Sequence, residues 1–328
     1  MRFPDGIAAQ PDVLARSAKA LHEALPDVPK PQTGEVIALM GIGASEHAAR
    51  SAAPVWRSQD LCAFAVSASE LQDPAPAVAD FYVAVSESGR SAETIAALSH
   101  LSNVARVGVT NCRESPLAGV VDHVLGLDSG PDSPVYTTGY TATLQALGML
   151  GESWSGRTTD WSVLPDQASE VLESAGPVIA EISPAFEAAR IVDVVASGAS
   201  SSSGGEGALM LRESARLLTA SHETYNYLHG PMEPLDAETA CLVVGDGREV
   251  RLAQDTSALG CPTLLVTSRA DVSSAGRLTV LRLPEAASPL ALAVLQILPI
   301  QLLGWSIAGR RGLAVDGFRY HQDDTKLA

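Results

Sequence analysis

The sequence predicts an α/β protein made of two tandem, doubly wound αβα sandwiches, each with a mainly parallel sheet. Three observations carry that prediction. Short apolar runs of strand length alternate with longer helix-compatible segments, the pattern of parallel strands buried on both faces by helices. The series occurs twice along the chain, as internal repetition requires. And 328 residues are too many for one small core but suit two domains of ordinary size.

Taken in order, residues 8–27 place Val13, Leu14, Leu21 and Leu25 at helical spacing and predict an amphipathic helix packed on the domains. Strand-like runs follow at 35–40, 80–85, 104–110 and 121–127. A second series lies at 189–196, 240–244, 262–268 and 278–283. The first run of each series ends in small residues, Gly41-Ile42-Gly43-Ala44-Ser45 and Ser197-Gly198-Ala199-Ser200. The segment 156–166, with Gly, Thr, Asp and Pro, reads as the linker, dividing the chain into 1–165 and 166–328. The serine- and glycine-rich run 200–205 reads as a loop. The most apolar stretch, 289–308, is interrupted by Gln296, Pro299 and Gln301; it reads as a buried helix, with no membrane partner.

Hydrophobic residues make up 46% and charged residues 18% of the chain, which is globular composition. A net charge of -16 argues against nucleic acid, which needs a basic face. It also means that an anionic ligand must be held by local donors against the overall field. Cys62, Cys112, Cys241 and Cys261 contain no CxxC pair and read as buried thiols of a reducing compartment, without metal or disulfide. Residues 1–10 contain no apolar core of a secretory signal, so the expected location is cytoplasmic.

The candidate site starts at Ser86-Glu87-Ser88-Gly89-Arg90-Ser91, between a predicted strand and a predicted helix. Doubly wound sheets bind ligands at the carboxyl ends of strands, against helix N-termini whose free N–H groups favour an anion. Ser86, Ser88 and Ser91 add hydroxyl donors, and Gly89 allows close backbone approach. The competing reading is a serine-rich turn that caps a helix.

The motif Ser86-Glu87-Ser88-Gly89-Arg90-Ser91-Ala92-Glu93-Thr94 resembles the signature of the sugar isomerase (SIS) domain. Gly41–Ser45 is similar to that family's first phosphate-side loop, and Thr110-Asn111 with Ser115-Pro116-Leu117-Ala118 to its next segment. Val135-Tyr136-Thr137-Thr138 is similar to the loop that completes the sugar site. In the second half, Glu206-Gly207-Ala208-Leu209-Met210-Leu211-Arg212-Glu213 and His229-Gly230-Pro231 resemble the isomerase half of glucosamine-6-phosphate synthase. No segment supplies the catalytic cysteine of a glutaminase.

The resemblance implies two SIS domains acting on a hexose or hexosamine 6-phosphate, as isomerase or deaminase, with no cofactor and as a homodimer. Ser45, Ser86, Ser88, Ser91 and Thr137 would hold the phosphate and nearby sugar groups, with Glu87 and Val135 beside them. Glu87 stands where the synthase has Gln, and Ala44 where it has Thr; a carboxylate near phosphate is repulsive unless it points away. The second unit's Gly245-Asp246-Gly247 lacks serines, so one repeat is expected to bind phosphate and the other to contribute catalytic groups.

Glu206 and Glu213 are seven residues apart on one predicted helix, which puts both on one face. By the resemblance, Glu213 moves a proton between C1 and C2, work that partial burial of a carboxyl favours, and Glu206 binds or supports. His229 would open the sugar ring of the neighbouring subunit's substrate. The tail 314–319 resembles the family's tail entry, but Asp323 stands where the synthase has its Schiff-base lysine, and Met210 replaces a helix lysine. Lys326 is the available alternative. A non-catalytic sugar-phosphate sensor is the second hypothesis; it has no need of Glu213 or His229.

Overall fold

The computed structural model describes residues 1–71 and 76–327. Two N-terminal helices, α1 (Phe3–Ala8) and α2 (Gln10–Ala24), precede a first unit of β1 (Val36–Gly41), α3 (Ala44–Arg57), β2 (Cys62–Ser67), β3 (Phe81–Val85), α4 (Ala92–His100), β4 (Ala105–Thr110), β5 (His123–Gly126) and α5 (Thr138–Ser155). Then come α6 (Leu164–Ala188), β6 (Ile191–Ala196), α7 (Ser201–Ala215), β7 (Thr219–Glu223), α8 (Thr224–Tyr227), β8 (Thr239–Val244), α9 (Arg248–Ala258), β9 (Thr263–Thr267), β10 (Leu278–Arg282) and α10 (Pro289–Arg310).

Both sheets are parallel, with orders β2-β1-β3-β4-β5 and β10-β9-β8-β6-β7. Counted within its own unit, each is the doubly wound order 2-1-3-4-5, which reverses between its first and third strands. Eight of the strands coincide with the apolar runs. The other two, β2 and β7, are edge strands with mixed burial; β7 is polar, as an edge strand can be, while β2 is an apolar run outside the eight.

Strand residues alternate between two cores, as the period of two requires. Ile37, Leu39, Val83 and Val85 of the first sheet share one cluster with Val192, Val194, Leu242 and Val244 of the second. The helices between the sheets fill that cluster. The opposite faces are covered separately: Met40 and Tyr82 pack under Leu98 of α4, and Val195 and Val243 under Leu252 of α9. The division at 165/166 falls in the first turn of α6, within this shared core.

Helix α10 packs against α5, α6 and α7. Among the described residues it alone is long and apolar enough to cross a membrane, and its burial between helices accounts for its apolarity. Gln301 inside it is fully buried and accepts a 2.7 Å hydrogen bond from Gln10 Nε2 of α2.

Two expectations are corrected. The run 200–205 is mostly helix, since α7 begins at Ser201. Its glycines serve close packing: a Cβ on Gly205 would lie 2.6 Å from His47 Cε1 of α3, and one on Gly204 3.1 Å from the Ala196 Cβ. Tertiary contact thus overrides the poor helix propensity of glycine. Second, Cys241 and Cys261 are buried but Cys62 and Cys112 are exposed.

Candidate active site

At the point where the first sheet reverses its strand order, the loops after β1 and β3 open a cavity of about 230 Å³. Ser45, Glu87, Ser88 and Ser91 line it from the first unit, Glu206 and Glu213 from α7, and Phe318, Thr325 and Lys326 from the tail. Seven of the residues singled out in the sequence therefore share one wall.

The serine loop owes its shape to Gly89, which sits at φ 63° with its Cα hydrogens facing Ser115 and Thr110. Ser91 makes no side-chain capping bond to α4; its Oγ lies 3.0 Å from Ser86 Oγ. Simple helix capping therefore does not account for the serines. Ser88 Oγ accepts a 3.3 Å bond from the Arg90 N–H, which leaves its own O–H to donate. Helix α3 likewise starts without a side-chain cap, at Gly43. Two helix N-termini thus converge on the cavity, each a partial positive charge. Ser88→Ala should weaken sugar-phosphate binding by about 1.5–3 kcal/mol, the worth of a hydrogen bond to a charged group, roughly 10- to 150-fold in Kd by calorimetry. Unchanged affinity would place the anion elsewhere.

Glu87 turns towards α5: Asn111 Nδ2 donates to its Oε1 at 3.2 Å, and a Cβ on Gly139 would fall 2.8 Å from its Cγ. Burial, then Asp132, raises its pKa. Holding a proton longer reduces the repulsion that a carboxylate would exert on phosphate.

The two carboxyl groups of α7 differ in environment. Glu206 is 1% exposed, and its Oε2 has no partner among the described residues. Burial first, then Glu213 and Asp132, holds its pKa well above the carboxylate range. Glu213 is pushed up to about 7 by burial, opposed by the positive charge of Lys326. Both carboxyl groups thus hold their protons more tightly than a free carboxyl, Glu213 near neutrality, which suits proton transfer.

Lys326 reaches the cavity because the tail folds back onto the serine loop. The Ala92 N–H donates to Thr325 O at 3.1 Å and the Leu327 N–H to Arg90 O at 2.8 Å, with Ser91 and Lys326 paired antiparallel. Lys326 Nζ donates to the Tyr136 hydroxyl at 3.2 Å. Asp323 is exposed.

Four expected residues are not on the wall. Ser86 is buried behind Ser91, and the Val135 carbonyl accepts from the Ser133 hydroxyl. Thr137 is buried, with its Oγ1 donating to Asp132 at 2.5 Å. Asp132 also accepts from the Thr137 and Gly139 N–H groups at 2.9 and 2.8 Å, so a protein carboxylate takes the N-terminus of α5. His229 is exposed beyond α8, outside the cavity that its own chain forms. Sequence reading missed Tyr136 and Asn111 as individual side chains, although both lie inside quoted motifs. Asp132 carried no motif.

The corresponding corner of the second sheet is occupied from within. Glu249, 3% exposed, accepts from Ser197 Oγ at 2.7 Å, from the Gly247 N–H at 3.1 Å and from Thr224 Oγ1. Donors that could hold an anion there are already used by a protein carboxylate. No group of three His, Cys, Asp or Glu suited to a metal occurs among the described residues.

Residues 35–153 match the SIS domain family. The chain is similar to glutamine–fructose-6-phosphate aminotransferase (isomerizing) of Thermosynechococcus vestitus, at 29% identity over 71% of this chain and 42% of that protein. The Thermus thermophilus protein of the same name is 27% identical over 75% of this chain and 44% of its own length. The chain thus spans less than half the length of these curated relatives. Its fold is similar to that of glucosamine-6-phosphate deaminase from Thermotoga maritima, with TM-score 0.83 and 21% identity, covering 98% of each chain. It is also similar to the C-terminal domain of glucosamine-fructose-6-phosphate aminotransferase from Francisella tularensis, with TM-score 0.82 and 21% identity, covering 96% and 97%.

Proposed function

Starting from a chain that carries a SIS domain over residues 35–153 and so belongs to the SIS-domain proteins, we propose that it is an aldose–ketose isomerase or amino-sugar phosphate deaminase acting on a hexose or hexosamine 6-phosphate. The observation that carries this reading is that Glu213 lines the same cavity as the serine loop, where burial pushes its carboxyl up to about 7.

The phosphate is held by Ser45, Ser88 and Ser91 at the starts of α3 and α4. That places C1 and C2 of the open-chain sugar towards α7. Glu213 removes the C2 proton, the electron pair forms the C1–C2 double bond of an enediol, and the proton returns at C1. Lys326 offsets the negative charge that develops on the sugar oxygen, and Glu206 supplies a neutral hydrogen-bond donor. Where C2 carries an amine, the same transfer leaves a C2 imine, which water hydrolyses to ketose and ammonia. His229 opens the ring in the site of a second copy, which makes the working form a homodimer. The compartment is the cytoplasm.

The test is incubation with glucose 6-phosphate, fructose 6-phosphate and glucosamine 6-phosphate in deuterated water. NMR follows C1 and C2 exchange, with free ammonia measured alongside. Exchange with ammonia release selects the deaminase, and exchange without it the isomerase. Tight binding with no exchange would make the protein a sensor.

A further inference from the structure

Glu213 does not close the site. A second cavity, of about 550 Å³, lies beyond it, and Glu213 and Phe318 line both. The wall of this second cavity carries Arg212, Arg216 and Arg319, a concentration of positive charge in a chain of net charge -16. Cations near a helix C-terminus complement the helix dipole, which would account for Arg212 and Arg216 at the end of α7. It does not account for Arg319, which arrives from the tail. None of the three forms an ion pair with a carboxylate among the described residues. Arg212 donates to the Thr219 carbonyl at 3.3 Å. The planar forks of guanidinium groups match carboxylate and phosphate oxygens.

With the 6-phosphate at the serine loop and C1–C2 at Glu213, a substituent on C1 projects past Glu213 towards these arginines. We propose that the arginine cleft is a second anion subsite, which takes a further oxyanion group, carboxylate or phosphate, on a sugar 6-phosphate held at the serine loop. This rests on the reading of the serine loop given above.

Fructose 6-phosphate and fructose 1,6-bisphosphate differ only in the group on C1 and serve as probes. Calorimetry at low salt should show the bisphosphate binding at least about tenfold more tightly, the worth of one or more charge-assisted hydrogen bonds. Arg212→Gln and Arg216→Asn should each erase most of that advantage and leave fructose 6-phosphate affinity unchanged. Asparagine is chosen at 216 because it tolerates the left-handed backbone found there (φ 54°). Arg319→Gln, on the exposed tail, should act the same way without touching the core. Equal affinity of the two probes in the wild type, or an advantage that survives all three substitutions, overturns the subsite while leaving the serine loop standing. Failure of the wild type to bind fructose 6-phosphate removes the serine-loop reading and this inference with it.

Discussion

Glu213→Gln should lower turnover by about 10²–10⁴, the usual worth of a positioned general base, and leave sugar-phosphate affinity nearly unchanged. The amide keeps the shape of the side chain but cannot take the C2 proton, and the proposed phosphate loop follows a strand of the other sheet. The pH profile gives an independent check. Glu213 must be ionised to act, so kcat/KM of the wild type should fall as pH drops through about 7. Removing the opposing charge with Lys326→Ala should move that limb to higher pH.

Stability should respond in the opposite direction. A carboxyl whose pKa rises on folding binds its proton more tightly in the native state, so unfolding free energy falls as pH rises. For Glu213 the window runs from the ordinary value of 4.5 to about 7, on the order of 3 kcal/mol at 1.36 kcal/mol per unit. Glu213→Gln should flatten this loss in urea titrations across that window. Proton exchange that persists in the variant would assign the base elsewhere, with Glu206 or His229 next.

The second large effect is expected for Gly89→Ala. Its backbone lies at φ 63°, a conformation that costs an L side chain about 1–2 kcal/mol. The new methyl would also collide with Ser115 Oγ and Cβ and come within 2.9 Å of Thr110 Oγ1, overpacking that costs about 1–3 kcal/mol more. A loss of about 2–5 kcal/mol in urea unfolding should therefore accompany loss of sugar-phosphate binding. Adding Ser115→Gly should restore the steric part and leave the backbone part. Full stability and binding in the single variant would mean that the loop is not held as described.

The central strands were legible in the sequence because a strand buried on both faces must be apolar along its length, as 80–85 and 240–244 are. The serine loop was legible because its hydroxyls, its glycine and its place after a strand are all local properties. The pairing of Glu206 with Glu213 was legible because the helix period alone sets it. Strand β7, Thr219–Glu223, escaped because it carries polar residues; β2, Cys62–Ser67, is an apolar run that the reading passed over. What is settled by contacts between distant residues was closed to any local reading. Ser91 meets Lys326 because the tail pairs with the start of α4, and Thr137 gives its hydroxyl to Asp132 rather than to the cavity. Gly204 and Gly205 are helical because α7 presses on β6 and α3. The two units, repeated in sequence, share one core because their helices fill the space between the sheets. Spacing and composition decide which face of an element is apolar; which surface it meets is decided by packing, and here packing brings Lys326, Glu213 and the serine loop into one cavity.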